Sequence, residues 1–438
     1  WNDGLCSPHP RLINEPACGR GILSVTMPPV SGRASLLLRL ANRDIDSLTI
    51  KLGGEKTVLL NSPRLVRHVL TSNAKNYTKN TVANEYFRQN IADGILTAEG
   101  ARWAEDRALL SPIFRNTAPL DGQIRACVEA TSARLASCAT SGAPVNLTAA
   151  MSELTLAIAT QIMFRARHEP FVDLCREIGQ LLDETTSVLP QNRDRVKSAR
   201  RSMLDTVQSA IGESCDPLGP VLQVLRDDIR HQHADVLNNQ LLTLLLAGFE
   251  TTANSLSWTW ILLSQHRMLY AKLQQSLDLQ GEQSALLRAV LEESFRLYPS
   301  AWVIGRRAVN DDHVDGVDIT AGSAVLISPF LIQRHPRWWP NPDEFRPERF
   351  LPGGQRPTNH YAHIPFGAGP RYCLGAAYAL QEAVIIIATL AQRFTFWPIR
   401  SPDDIEPELK FVLRAPDPFP VTVLRRPAPI NDNEGKPG

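Results

Sequence analysis

Apolar and polar positions keep two different periods in this chain, and the switches between them mark its parts. From Ser47 to Asn61 they alternate. Gly53-Gly54 falls in the middle and Thr57-Val-Leu-Leu60 returns, the pattern of a β-hairpin. Ser62-Pro63 then sets an N-cap residue before a proline, which predicts a helix start. From there to about residue 298 the spacing is mainly helical, with a less regular stretch from Asn76 to Glu99. Within it, Asp235 to His266 is apolar on most faces and reads as one buried helix, roughly 45–50 Å long. Ten prolines between Pro299 and Pro370 predict loops and short strands, with strands near His313–Ile319 and Ser323–Ser328. A strongly apolar helix follows from Leu374 to about Phe394, and strand-like segments run on from there.

These elements predict a mainly α fold with a minor β region. No repeat, low-complexity block or linker divides it, so residues 41–428 read as a single domain. Residues 1–40 read as a loosely ordered lead-in and residues 429–438 as a polar tail. The first 40 residues hold no apolar run long enough to span a bilayer; Ala34–Leu40 is short and broken by Arg39. A cytoplasmic protein with no membrane anchor in this chain is expected. Its 438 residues carry 46 basic and 45 acidic side chains, a net charge of +1. That balance argues against bulk electrostatic binding of nucleic acid. Seven cysteines, no two spaced CxxC, support neither a zinc knuckle nor a disulfide framework.

Candidate chemistry is concentrated in four segments. In Phe366-Gly-Ala-Gly-Pro-Arg-Tyr-Cys-Leu-Gly375, Cys373 sits just ahead of the last long helix. Free N–H groups and the positive end of that helix would stabilise a thiolate. Gly367, Gly369 and Gly375 leave space for a flat ligand or another backbone, and Arg371 supplies a cation. In Leu241–Thr252, Glu250, Thr251 and Thr252 interrupt an apolar helix, and Gly248 lies just before them. A carboxylate in such a place must be paired, hydrated or used. Glu293 and Arg296 stand at i, i+3, by spacing alone an ordinary helix ion pair. Trp103 and Arg107 stand at i, i+4, and indole N–H and guanidinium both donate to a carboxylate.

Together these segments resemble the cytochromes P450, over about residues 45–425 and in that family's order. The Cys373 segment is similar to the family's FxxGxRxCxG haem-binding loop. Glu250-Thr251-Thr252 resembles its (A/G)Gx(D/E)T(T) motif, Glu293 and Arg296 its ExxR, and Trp103 and Arg107 its WxxxR. The resemblance implies the cytochrome P450 fold and haem b (iron protoporphyrin IX), with Cys373 as thiolate ligand of the iron. It implies haem contacts by Phe366, Arg371 and Gly375, and propionate contacts by Trp103, Arg107, Arg371 and Arg306, with Arg307 as a rival for the last. Thr251 becomes the oxygen-activating hydroxyl and Glu250 the proton-relay acid. Glu293, Arg296 and Arg349 become a buried structural network, which guanidinium groups can bridge bidentately.

The implied reaction is monooxygenation, with O₂ as co-substrate. NAD(P)H would serve indirectly, through a separate ferredoxin or flavoprotein reductase. The resemblance sets the substrate pocket at Phe87, Leu246, Phe249, Trp302, Val303 and Ile304. Their apolar character predicts a small lipophilic substrate: a fatty acid, terpenoid, steroid-like molecule or polyketide. Oxidative coupling, desaturation and peroxide-driven oxidation stand as alternatives within the family, and a haem sensor outside catalysis. The acid–alcohol pair favours O₂ activation over peroxide use and over a sensor. Arg102, Arg107, Arg115, Arg334, Arg337 and Arg371 form a basic set, part of which is expected to meet an acidic electron donor.

Overall fold

A computed structural model describes residues 23–24, 45–52, 55–185, 193–213, 219–228, 230, 233–399 and 405–427. The expected lead-in, Leu23–Ser24 apart, and the polar tail lie outside the described residues. The fold is mainly helical. Its helices are α1 (Pro63–Arg67), α2 (Val82–Asn90), α3 (Gly100–Arg115), α4 (Asp121–Ser141), α5 (Leu147–Phe164), α6 (Glu169–Thr185) and α7 (Arg193–Glu213). They continue as α8 (Pro220–Asp227), α9 (Ala234–Gln265), α10 (Arg267–Gln280), α11 (Ala285–Leu297), α12 (Pro329–Ile332) and α13 (Ala376–Arg393).

The strands are β1 (Leu23–Ser24), β2 (Ser47–Leu52), β3 (Glu55–Leu60), β4 (Tyr77–Thr78), β5 (Val145–Asn146), β6 (Ile304–Ala308), β7 (Asp312–Val314), β8 (Val317–Ile319) and β9 (Ala324–Ile327). After α13 come β10 (Phe394–Pro398), β11 (Glu408–Leu409), β12 (Leu413–Arg414) and β13 (Pro420–Arg425). One sheet runs β1-β2-β3-β9-β6-β4, a second β10-β13-β5, and β7-β8 and β11-β12 are two-stranded. The β2–β3 hairpin pairs Ser47 with Leu60 and Leu52 with Glu55.

Two segments differ from the sequence expectation. The stretch His313–Ile319 is a hairpin, not one strand. Asp315 and Gly316 take φ of 48° and 77° between β7 and β8, the left-handed pair that an Asp-Gly turn favours. The less regular stretch 76–99 contains α2, opened by Thr81, whose hydroxyl accepts from Asn84 N at 3.2 Å. Its nine residues bury Phe87 alone, so no apolar stripe advertised a helix.

The core gathers around α9, which is buried along most of its 32 residues. Beside it lies α5, capped by Asn146 and ended by Arg165 in the left-handed region. By length and composition α5 could cross a membrane, but 67% of it is buried inside the protein, as suits a core helix. α11 and α13 complete this core and carry the ion-pair network and the cysteine loop to it.

Candidate active site

The cysteine loop is built by close backbone approach. Cys373 N donates to Phe366 O at 3.0 Å and closes the loop. Gly367 and Gly369 take φ of 72° and 71°. A Cβ at Gly369 would lie 1.8 Å from Leu70 O, so the loop can lie against the turn His68–Ser72 after α1 with glycine alone. Cys373 has accessible surface although protein surrounds it, so it faces an internal hollow and not bulk solvent. Burial raises its thiol pKa, while the Gly375 N–H and the charge of Arg107 pull it down. A Cβ at Gly375 would meet nothing within 4 Å.

A second hollowed surface lies in the middle of α9. Leu241–Leu246 and Phe249 are buried, yet Ala247 between them is exposed, and a Cβ at Gly248 would also meet nothing within 4 Å. Thr251 stands one turn after Ala247, is half-buried, and donates from Oγ1 to Ala247 O at 2.8 Å. Thr252 is buried and donates to Gly248 O at 2.9 Å. The two hydroxyls therefore differ: Thr251 borders the hollow and Thr252 the core. Residues 300–304 link both surfaces. Ser300 Oγ donates to Thr251 O at 2.8 Å, and Ile304 lies 3.7 Å from the Cβ position of Gly367.

One side of the site is strongly cationic. Arg371 donates to Ala98 O at 2.8 Å, pairs with Glu99 at 2.7 Å and stacks 4.0 Å over the Trp103 ring. Arg306 is 7% exposed, donates to its neighbour Gly305 O, and makes no ion pair among the described residues. Burial first, then Arg371, push its pKa down to about 10, against the pull of Glu99. Arg307 is satisfied elsewhere, by Glu55, Asn80 O and Gly322 O. Lys79, which the sequence did not single out, joins the cluster: its ammonium donates to Leu96 O and its backbone N to Glu99 at 2.9 Å. Burial, then Arg306 and Arg371, push Lys79 down to about 7. Burial also lowers Arg107, which the charge of Cys373 partly offsets. Lys79, Arg306 and Arg371 thus gather near Glu99, the carboxylate that faces them, with Arg107 on the far side of Arg371 toward Cys373. Such a set is completed by an anion carrying more than one charge.

The third group is a buried ion network behind the loop. Arg296 binds Glu293 bidentately at 2.6 and 2.8 Å, and Arg349 Nε reaches Glu293 at 3.2 Å. Glu293 and Arg296 are fully buried and Arg349 is 4% exposed. The remaining Arg296 donors reach Gln333 O, Pro342 O and Glu344 O, and Arg346 N donates to Glu293. The node thus ties α11 to Gln333 and to the segment 341–349. Phe366 packs edge-on against Phe295 of the same helix, centroids 5.8 Å apart.

Of the pocket residues, Phe87, Leu246 and Phe249 are buried, while Trp302, Val303 and Ile304 are half-buried. Trp302 Nε1 donates to Lys410 O at 2.8 Å, which fixes the β11–β12 hairpin beside it. Phe411 at the tip of that hairpin stacks on Phe87 at 5.8 Å and was not anticipated. The basic set does not form one free face. Arg102 pairs with Asp93, Arg337 with Asp46 and Arg371 with Glu99, and Arg334 is a core residue bonded to Leu297 O and Asp343.

The residues fit a flat, dianionic, thiolate-ligated group such as haem: an accessible cysteine in a glycine-lined hollow, with cations at its edge. Comparison with known proteins agrees. Residues 33–423 match the Cytochrome P450 family. Cytochrome P450 132 of Mycobacterium tuberculosis is 28% identical over 81% of this chain and 85% of its own length. Cyclooctatin synthase of Streptomyces melanosporofaciens is 28% identical over 85% and 89%, and cyclooctat-9-en-7-ol 5-monooxygenase of the same organism 27% identical over 81% and 83%. The chain belongs to the cytochrome P450 family of haem-dependent oxidoreductases.

Proposed function

We propose that the chain is a monooxygenase that inserts one atom of O₂ into a lipophilic small molecule, with electrons brought from NAD(P)H by a separate ferredoxin or flavoprotein reductase. The observation that carries this reading is the acid–alcohol pair, Glu250 and Thr251, where α9 opens beside Ala247 and Gly248. A carrier or sensor of haem has no use for a proton relay, and a peroxide user needs none. When bound, the haem supplies O₂ activation, favoured by electron donation from a thiolate. Cys373 would hold the iron, and the Gly375 N–H and Arg107 stabilise its sulfur as a thiolate. Lys79, Arg107, Arg306 and Arg371 would hold the carboxylates, with Trp103 supporting Arg371. The Thr251 hydroxyl gives its proton to Ala247 O, so its oxygen can accept a hydrogen bond from a group in the hollow and hold it in place, and Glu250 can supply protons there.

Phe87, Leu246, Phe249, Trp302, Val303 and Ile304, with Phe411 stacked on Phe87, would line an apolar enclosure that orients a hydrocarbon skeleton. Two relatives take their names from cyclooctatin and from an unsaturated alcohol, which supports a lipophilic substrate over a charged one. The test is turnover under ¹⁸O₂ with surrogate ferredoxin, reductase and NADPH, against a library of lipophiles. One labelled oxygen in the product is expected, and no turnover without the donor proteins. Equal product from hydrogen peroxide alone, with no ¹⁸O from O₂, would overturn the reading.

A further inference from the structure

Glu250 does not stand alone on its helix. Arg414 of β12, 164 positions away in sequence, donates from Nη2 to Glu250 Oε1 at 2.6 Å. The pair is largely buried, with side-chain exposures of 26% for Arg414 and 12% for Glu250. α6 covers it. A Cβ at Gly179 would lie 2.8 Å from Arg414 Nη2 and 3.6 Å from Glu250 Oε1, so the absence of a side chain there makes room for the guanidinium. Arg414 from β12 and Cys175, one turn before Gly179, from α6 are among the groups that face Glu250. Burial, then the charge of Glu250, raise the Cys175 thiol pKa.

The register of Arg414 is fixed on both sides. Leu413 N donates to Ser300 O at 2.9 Å, and Ala415 N to Asn254 Oδ1 at 3.0 Å. Asn254 in turn donates to Glu250 O at 2.9 Å. Ser300 also bonds the Thr251 carbonyl at 2.8 Å. The strand is thus stitched to the two turns of α9 that carry the acid and the alcohol. A guanidinium at hydrogen-bond distance favours the ionised carboxylate and holds its direction.

We propose that Arg414 is a positioning residue for the relay acid, and that Gly179 is the small residue that admits it. The inference rests on the reading of Glu250 as a proton relay. Arg414 keeps that relay charged as pH falls and aims it from outside the haem contacts.

The experiment measures product formed per NADPH consumed against pH in the haem-loaded enzyme with surrogate donor proteins. Wild type is compared with Arg414→Gln, Arg414→Lys, Gly179→Ala, the double variant Gly179→Ala/Arg414→Gln, and Glu250→Gln. Arg414→Gln should move the acid limb of the coupling profile up by about 1–3 pH units. Arg414→Lys should restore most of it. Gly179→Ala, whose Cβ crowds only the flexible end of Arg414, should move the limb the same way by less without touching either charge, and the double variant should be no worse than Arg414→Gln. Haem content and the CO spectrum should stay as in wild type, which separates the effect from misfolding. A wild-type profile in Arg414→Gln, with Glu250→Gln uncoupled, sinks the inference and spares the relay. Unchanged coupling in Glu250→Gln removes both.

Discussion

At the scale of single residues, Cys373, Thr251 and Lys79 carry separable expectations. Cys373→Ser replaces a thiolate by a weaker donor. The reduced CO complex should lose the red-shifted Soret band of thiolate-ligated haem; retention of the band would mean that another cysteine is the ligand. Thr251→Ala removes a hydroxyl at the hollow with little change in volume. Haem content should survive, while product per NADPH falls roughly tenfold or more and peroxide rises. Thr252→Ala should be milder, since its hydroxyl turns to the core. Lys79 gives a pH dependence. Its folded pKa is depressed from 10.5 to about 7, so the charged form is disfavoured until an anion arrives. Binding a propionate restores the charge and takes up a proton above about pH 7. Haem retention should therefore be strongest below about pH 7 and weaken as pH rises beyond it, measured as transfer of haem to apomyoglobin. Lys79→Met should flatten that profile.

At the scale of elements, α11 and the loop after it behave as one piece. Arg296→Ala leaves Glu293 buried against Arg349 and Arg346 N with its bidentate partner gone. The expected cost is about 3–5 kcal/mol, seen as a lower midpoint in urea and little haem-loaded protein. Normal loading would show that the node is dispensable. These elements were legible in the sequence because their chemistry is local. Glu293 and Arg296 are one turn apart, and Cys373 and its glycines fall within ten residues of a helix start. What escaped was non-local or faint. Lys79 reads as one more polar residue until the fold brings Arg306 and Arg371 beside it. Arg414 and Phe411 act on partners far away in the chain, and α2 buries too little to show a period.

At the scale of the whole molecule, the broad division was readable: alternation early, helix to residue 298, proline-rich loops, then strands. Sheet order was not, because pairing joins segments that sequence keeps apart. The small sheet β10-β13-β5 shows why this matters. Its middle strand, β13, is the latest of the three along the chain, and it pairs Val421 with Val145 and Phe396 with Val423. Asn146, which caps α5, also accepts from Phe419 N at 3.1 Å. A ribosome makes the chain from its N-terminal end, so the start of α5 waits for partners translated near the end. Through most of synthesis this apolar helix, one that could cross a membrane by composition, lacks the strand that binds its capping residue. A nascent chain stalled before Pro420 should bind a holdase chaperone and be cleaved by protease within α5. The same chain extended past Arg425 should release the chaperone and resist cleavage. Equal protection in both would show that the early helices shelter α5 by themselves.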